Sequence, residues 1–244
     1  MPYRGEPWVG LPLREGGALS SDDAVGGESR TPEAYTWPLV AIVVAIIPQV
    51  LVPSGRRVGP PLLVPIMEAA AFLVMLLIAA KPGPVPRGAR PFILSLFGLL
   101  VFSNAASAVR LVLLVLDGGK VDGVPLTANR LLVAGFLVLT TNIITFALLY
   151  WQLDSGGPAG RAVEPVPYPD FQFPQTMTDG LAAPGWQPRF HDHLYLAFNS
   201  AIAFSPADSL PLTFRAKTLM ALQAVISLSV LVVVVARVIN ILPG

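Results

Sequence analysis

The chain of 244 residues contains no cysteine, and 13% of its residues are charged. Without cysteine it can form neither a disulfide framework nor a thiolate metal site. Globular domains carry about 25% charged residues, so roughly half of the usual charge is missing, whereas 54% of the residues are hydrophobic. A soluble protein of this composition would expose apolar patches that aggregate. The composition therefore predicts an integral membrane protein.

Several functional classes lack their sequence signals. The formal net charge is +1 and no basic stripe with interleaved aromatic residues is present, so nucleic acid is not expected as a partner. No G-x-S-x-G turn, phosphate-binding G-x-x-x-x-G-K-[ST] loop or zinc-protease histidine pair occurs. His191 and His193 flank Asp192 at a predicted helix start, without a second cluster of ligand residues. We therefore expect no enzyme, no cofactor and no bound metal.

Five apolar blocks follow a polar tail, residues 1–35, whose Gly, Ser, Pro and acidic residues predict disorder. The blocks cover residues 37–52, 61–80, 91–116, 131–151 and 218–242. At 1.5 Å per residue the last four reach about 30 to 39 Å, enough for a hydrocarbon core of about 30 Å, and the first reaches about 25 Å. We expect an all-α, multi-pass protein of the cell membrane with five transmembrane helices, three of them within residues 36–128.

A shorter apolar stretch lies between the last two blocks. We expect residues 152–191 to form a Pro- and Gly-rich interfacial loop. A short helix should follow over 192–204, with Asp192 as its N-cap. A turn over 205–211 and a final helix over 216–242 complete the predicted order. An apolar run of this length is too short to span a bilayer, and Pro206 ends the helix. Irregular backbone at membrane depth must be buried by protein or line water. This order of segments predicts a re-entrant, pore-like helix within residues 129–244, and residues 131–151 form the helix before it.

This stretch resembles the two-helix pore module of potassium channels, which has an outer helix, a pore helix, a filter and an inner helix. The matching residue types are Tyr195, Phe198, Asp208, Pro211, Leu212 and Thr213, with Lys217 at the family's basic position. The stretch also resembles a group of bacterial membrane proteins with the signature YLAF…AFSP.D..PLT. Together with the outer helix, the resemblance covers less than half of the chain.

The resemblance implies an ion-channel-like protein for ion transport, assembled as a homotetramer in the lipid bilayer. It also implies that the 152–217 connection is external and the C-terminus cytoplasmic. The positive-inside rule adds no orientation, because four basic residues lie near the membrane ends on each side.

The filter region departs from the potassium-channel pattern. The place of the family's T-V-G-Y-G is taken by Ala203, Phe204, Ser205, Pro206 and Ala207. Filter glycines adopt backbone angles that are costly for other residues, and proline lacks an N–H and has a fixed φ. A potassium-type filter is therefore not expected. In a tetramer, four copies of Asp208 would instead form a carboxylate ring that favours cations, with hydroxyls from Ser200 and Ser205. Alternatively, Asp208 caps the following turn.

Arg237 lies near the end of the fifth apolar block, where its side chain can reach the interface. Two charged residues lie deeper inside the blocks, Glu68 in the second and Arg110 in the third. An ionisable group facing lipid is expensive, so we expect them to pair inside the bundle. Alternatively, Glu68 is a proton or cation site. The amides of Asn104 and Asn142 are expected to form hydrogen bonds between helices rather than to act as ligands. For function, the leading hypothesis is cation passage through an oligomeric pore. The alternatives are a non-conducting structural or partner-binding membrane protein built on a degenerate pore fold, and a secondary transporter, for which no internal repeat is visible.

Overall fold

A computed structural model describes residues 33–51, 63–80, 89–121, 124–125, 127–162, 168–178, 180–183, 185–203 and 209–241. The helices are α1 (Thr36–Leu51), α2 (Leu63–Ala79), α3 (Ala89–Leu116), α4 (Ala128–Leu153), α5 (Gly157–Arg161), α6 (Pro174–Met177), α7 (Phe190–Ile202) and α8 (Phe214–Ile241), with a 3-10 turn at Asp154–Gly156. Two antiparallel ribbons pair β1 (Lys120–Val121) with β2 (Val124–Pro125) and β3 (Phe171–Gln172) with β4 (Leu210–Pro211). The all-α fold class predicted from the sequence is confirmed in its main feature, because the protein is mostly helical.

Three helical segments are long and apolar enough to cross a membrane: Arg90–Leu116, Ala128–Arg161 and Phe214–Asn240. The first and third are parts of the single helices α3 and α8, whereas the second consists of α4 followed by the 3-10 turn and α5. Backbone groups that bond within a helix meet the requirement of an apolar solvent. The helices α1 and α2 are apolar but shorter, with 16 and 17 residues. The predicted membrane class is thus supported, and the count of five crossings stays a prediction.

A helix is present where the re-entrant helix was predicted over 192–204: α7 begins two residues earlier than expected and ends at Ile202. Its re-entrant path stays a prediction. Asp192 is not its N-cap: Arg189 holds that position, and the Asp192 carboxylate reaches back one turn to accept the Arg189 backbone N–H at 2.7 Å. The carboxylate still satisfies a backbone donor at the helix start, but from the third helical position. The last two residues of the predicted 205–211 turn form β4.

The helix α4 is the centre of the fold and packs against α1, α3, α7 and α8. Its second half is buried on nearly all sides, and Phe146, Tyr150 and Trp151 have no exposed surface. Tyr150 lies against Phe171, with the ring centroids 5.0 Å apart, and Trp151 lies edge-on to Phe190 at 5.9 Å. Aromatic rings of this size dominate the packing around them, so the elements that follow α4 are built onto its C-terminal end.

Side-chain amides join the helices at two levels of the bundle. Asn104 of α3 donates to Asn142 Oδ1 of α4 at 2.9 Å, and Asn142 donates to Ser227 Oγ of α8 at 2.7 Å. At the other level, the Tyr150 hydroxyl donates to Gln223 Oε1 of α8 at 2.7 Å. The interhelical hydrogen bonds expected of the two intramembrane asparagines are confirmed. Such bonds fix the rotation of helices that lipid alone does not orient.

A glycine permits the close approach of α4 and α8. A Cβ atom at Gly135 would lie 3.1 and 3.2 Å from the two methyl carbons of Val234, whereas a Cβ at Gly98 of α3 would meet nothing within 4 Å. We expect Gly135→Leu to lower the free energy of unfolding by about 1–3 kcal/mol, because overpacking forces the two helices apart. Thermal unfolding in detergent micelles measures the change. Gly98→Leu is the matched control and should change stability little; equal losses in both variants would contradict close packing at Gly135.

Candidate functional site

The chain reverses direction directly after α4. Ser155 has a φ of 50°, and Gly157 has a φ of 80°, where a Cβ would lie 2.9 Å from a backbone carbonyl oxygen of α4. Glycine is therefore required at this position. The reversal brings the Arg161 guanidinium back to the helix end, where Nη1 donates to the carbonyl oxygens of Trp151 at 3.1 Å and Asp154 at 2.8 Å. A cation at this place satisfies free carbonyls and complements the helix dipole.

The carboxylate of Asp154 is the hub of the site and is fully buried. Its Oδ1 accepts the backbone N–H groups of Asp170 at 2.8 Å and Phe171 at 3.3 Å. Its Oδ2 lies 3.1 Å from Nε2 of His193 and 3.9 Å from Nη1 of Arg161. One side chain thus joins the end of α4 to the segment that enters β3 and to the first turn of α7.

His193 lies opposite Asp154 and is also fully buried. Its second ring nitrogen, Nδ1, is 2.8 Å from the carbonyl oxygen of Arg189, the N-cap of α7. The rings of Phe173 and Phe171 lie edge-on to the imidazole, with centroids 5.3 and 6.3 Å away. The imidazole is therefore enclosed by aromatic rings and held at both nitrogens.

Glu33, just before α1, completes the cluster. Its carboxylate accepts the indole N–H of Trp151 at 2.6 Å and the backbone N–H of Phe190, the first residue of α7, at 2.9 Å. Nη2 of Arg161 lies 3.9 Å from the same carboxylate. Tyr35 packs edge-on against Trp151 at 5.1 Å, and burial raises the pKa of its hydroxyl, which stays neutral. Residues 33–35 of the predicted tail thus belong to the packed structure, whereas residues 1–32 lie outside the described residues.

A second carboxylate, Asp170, fixes the start of α8. It is fully buried and accepts two bonds from Arg215, from Nε and Nη2, each at 2.6 Å. It also accepts the hydroxyl of Thr213, while its backbone carbonyl accepts the N–H of Leu212 at 2.8 Å. Bidentate arginine–carboxylate pairs define geometry closely. The segment around β4 and the start of α8 is therefore held beside the end of α4.

The predicted pore residues are described in part. Ser200 is buried and its hydroxyl donates to the Leu196 carbonyl oxygen at 2.9 Å within α7. Ala203 follows the last turn of α7 and donates its N–H to Asn199 at 2.8 Å. The other five predicted residues, Phe204, Ser205, Pro206, Ala207 and Asp208, lie outside the described residues. A pore role for these residues stays a prediction.

The two intramembrane charges lie in different surroundings. Glu68 of α2 is buried, with 3% of its surface exposed, whereas Arg110 of α3 is exposed. Their pairing stays a prediction. The two histidines also differ, since 64% of the His191 side chain is exposed and His193 is buried. Within the described part of the chain, no group of three or more His, Asp or Glu residues could hold a metal ion.

The buried cluster was not predicted from the sequence. The segment 152–191 was expected to be an irregular interfacial loop, but it contains the 3-10 turn, α5, β3, α6 and the start of α7. The available signals were the D-S-G-G-P breaker directly after α4 and isolated charged residues among apolar and proline-rich neighbours. These features indicate a turn, but they do not identify which charged groups come together.

Comparisons with known proteins give no relative from which a role could be transferred. No protein-family model, no curated protein and no solved structure matches this chain. The function is therefore inferred from the geometry of the site and from the chemistry of its residues.

The hub role of Asp154 can be tested by truncation. We expect Asp154→Ala to lower the free energy of unfolding by about 3–5 kcal/mol, because removing one partner leaves buried charge and backbone N–H groups uncompensated. Denaturant or thermal unfolding in micelles measures the change. The control is Asp117→Ala, at an exposed aspartate just beyond α3, which should be nearly neutral. A loss at Asp154 no larger than at Asp117 would contradict the hub role.

Proposed function

We propose that this chain is a channel-like membrane protein that passes cations through an oligomer built from α4, α7 and α8. The observation that carries the proposal is the position of α7 between two helices long enough to cross a membrane. Its first turn is held at the C-terminal end of α4 by Asp154, and Gln223 of α8 donates to the Ala197 carbonyl oxygen halfway along it, at 2.8 Å. A short helix between two spanning helices is the arrangement of a pore module.

The return of the chain to the same end supports a re-entrant path. With 13 residues, α7 is about 20 Å long, less than a hydrocarbon core of about 30 Å. After it, β4 pairs with β3, whose first residue donates to Asp154 beside the start of α7. The six residue steps from Ala203 to Ser209 reach at most about 20–22 Å. This reach matches the length of α7, so the number of residues between Ala203 and Ser209 is sufficient for the return.

Cation selectivity would come from carboxylates and helix dipoles. Asp208 lies in the connection between α7 and β4, so an assembly around a common axis could bring several copies of it together. The C-terminal ends of helices carry a partial negative charge, and α7 ends just before this connection. Rings of acidic side chains favour cations. A four-fold assembly and five crossings, with α1 and α2 as the shorter two, complete the proposal.

A second candidate is a non-conducting protein that uses the same fold for structure or partner binding. Two observations favour it. The Ser200 hydroxyl bonds within its own helix, and the Asp170–Arg215 pair holds the start of α8 to the segment before β3. Both features serve a rigid scaffold as well as they serve a pore.

Current through planar bilayers separates the two candidates. We expect purified protein to carry cation current, and Asp208→Asn to reduce it roughly tenfold or more at low salt, since a carboxylate ring concentrates cations. Asp208→Lys should abolish the current or change its ion selectivity. Native mass spectrometry of the same samples should show a tetramer.

The control is Asp117→Asn, which neutralises an exposed aspartate outside the proposed pore module and should leave the current unchanged. Current that ignores both Asp208 substitutions would place the conduction path elsewhere. Folded, tetrameric protein that stays silent across salts, pH and voltage would favour the non-conducting candidate.

A further inference from the structure

Both ring nitrogens of His193 lie against hydrogen-bond acceptors. Nδ1 is 2.8 Å from the Arg189 carbonyl oxygen, a group that can only accept. Nε2 is 3.1 Å from Oδ2 of Asp154, whose other oxygen already accepts two backbone N–H bonds, as an ionised carboxylate does. A neutral imidazole carries one N–H, so one nitrogen would direct its lone pair at an acceptor. With Asp154 ionised beside Arg161, the geometry therefore requires a proton on each nitrogen.

The charge balance of the cluster also favours one further proton on the Asp154–His193 pair. Glu33 and Asp154 contribute two negative charges and Arg161 one positive charge, which leaves −1; the Asp154 and Arg161 side chains are buried, and 16% of the Glu33 side chain is exposed. An uncompensated buried charge is costly. A doubly protonated His193 brings the sum to zero, while the neighbouring Asp170–Arg215 pair is balanced by itself.

The other ionisable groups do not change this balance. Among the described residues, ionisable groups lie around His193 on every element packed against it. They are Glu33 and Tyr35 before α1, Tyr150 in α4, Asp154 after it, Arg161 in α5, Asp170 before β3, Arg189, His191 and Asp192 at the start of α7, and Arg215 in α8. The two tyrosines are neutral. At the start of α7, Arg189 and Asp192 carry opposite charges that cancel, and His191 is exposed, so solvent screens it.

We propose that His193 is a buried proton-binding site and that the proton between Nε2 and Asp154 Oδ2 fastens α7 to the end of α4. Loss of this proton to solvent leaves a lone pair facing a carboxylate and one uncompensated negative charge. The first turn of α7 then separates from α4. The helix concerned is the pore helix of the proposed function, so its position becomes proton-dependent. The proton site itself does not require that the protein conducts.

Ring-nitrogen NMR of the full-length protein in detergent tests the protonation state. The chain has two histidines, so His191→Gln leaves His193 as the single histidine signal. We expect both of its nitrogens to be protonated near pH 7, where an exposed histidine is mostly neutral. Wild-type protein provides the matched signal of the exposed His191. A single protonated nitrogen on His193 under these conditions would overturn the proposal, whatever the variants show.

Asp154→Asn tests whether the carboxylate holds the proton. Asparagine keeps the shape but removes the charge, and its amide N–H can donate to Nε2. The cluster of Glu33, Arg161 and a neutral imidazole is then balanced. We expect His193 in this variant to carry one proton, on Nδ1, near the same pH of about 7. A His193 that stays doubly protonated without the Asp154 charge would contradict the assigned partner.

Thiol labelling tests whether the proton holds α7 in place. The chain has no cysteine, so Ala201→Cys, at a residue of α7 with 1% exposure, introduces a single reporter. We expect its labelling rate by a water-soluble thiol reagent, corrected for the pH dependence of free cysteine, to rise at least about tenfold when His193 loses its second proton, as for loss of a charged hydrogen bond. The rise should be absent when Asp154→Asn is also present.

The NMR and labelling outcomes are distinct from those of the ion-current recordings in planar bilayers. A labelling rate that stays constant while NMR records the loss of the proton would overturn the fastening role. A proton-dependent labelling rate in protein that carries no current would retain the proton site and remove the channel function.

Discussion

The buried carboxylate of Asp154 is the interaction on which the functional end of this protein depends. Ionisable groups away from water are tolerated when every hydrogen-bonding position is filled. Asp154 meets this condition with two backbone N–H groups on one oxygen and His193 on the other. Its partners come from the segment before β3 and from α7, so one side chain determines where two later elements lie relative to α4. Arg161 returns to the same helix end, where its Nη1 donates to two carbonyl oxygens.

Hydrogen bonds within the bundle also fix the positions of α7 and α8 relative to α4. Apolar side chains hold helices together in lipid by packing, but they distinguish poorly between rotations about the helix axis. Gln223 resolves this by accepting from Tyr150 of α4 and donating to Ala197 of α7. The helix α7 is thus fixed at its start and near its middle. A helix that lines an ion path needs such a defined axis, and a proton-dependent contact at its start would be a means of moving it.

The sequence was a good guide to the helices and a poor one to their ends. The helix α4 begins at Ala128, before the apolar block at 131–151, and α8 begins at Phe214, before the predicted 216. Hydropathy marks the part of a helix that suits hydrocarbon, while the backbone hydrogen bonding continues into the polar flanks. Asp192 shows a related difference. Its capping chemistry was evident from its residue type, but its position at the third residue of α7 follows from the bonds that Glu33 and Arg189 make.

Composition and apolar block length were enough to predict a helical protein with segments long and apolar enough to cross a membrane, because the free energy of transfer into lipid is a sum over neighbouring residues. The intramembrane asparagines were also recognisable as interhelical donors, since few other roles are open to an amide in lipid. The meeting of Asp154 with His193, 39 residues later, and of Glu33 with Phe190, 157 residues later, was decided by tertiary structure. These contacts depend on which distant segments the packing of α4 brings together. No local sequence pattern indicates which segments will meet.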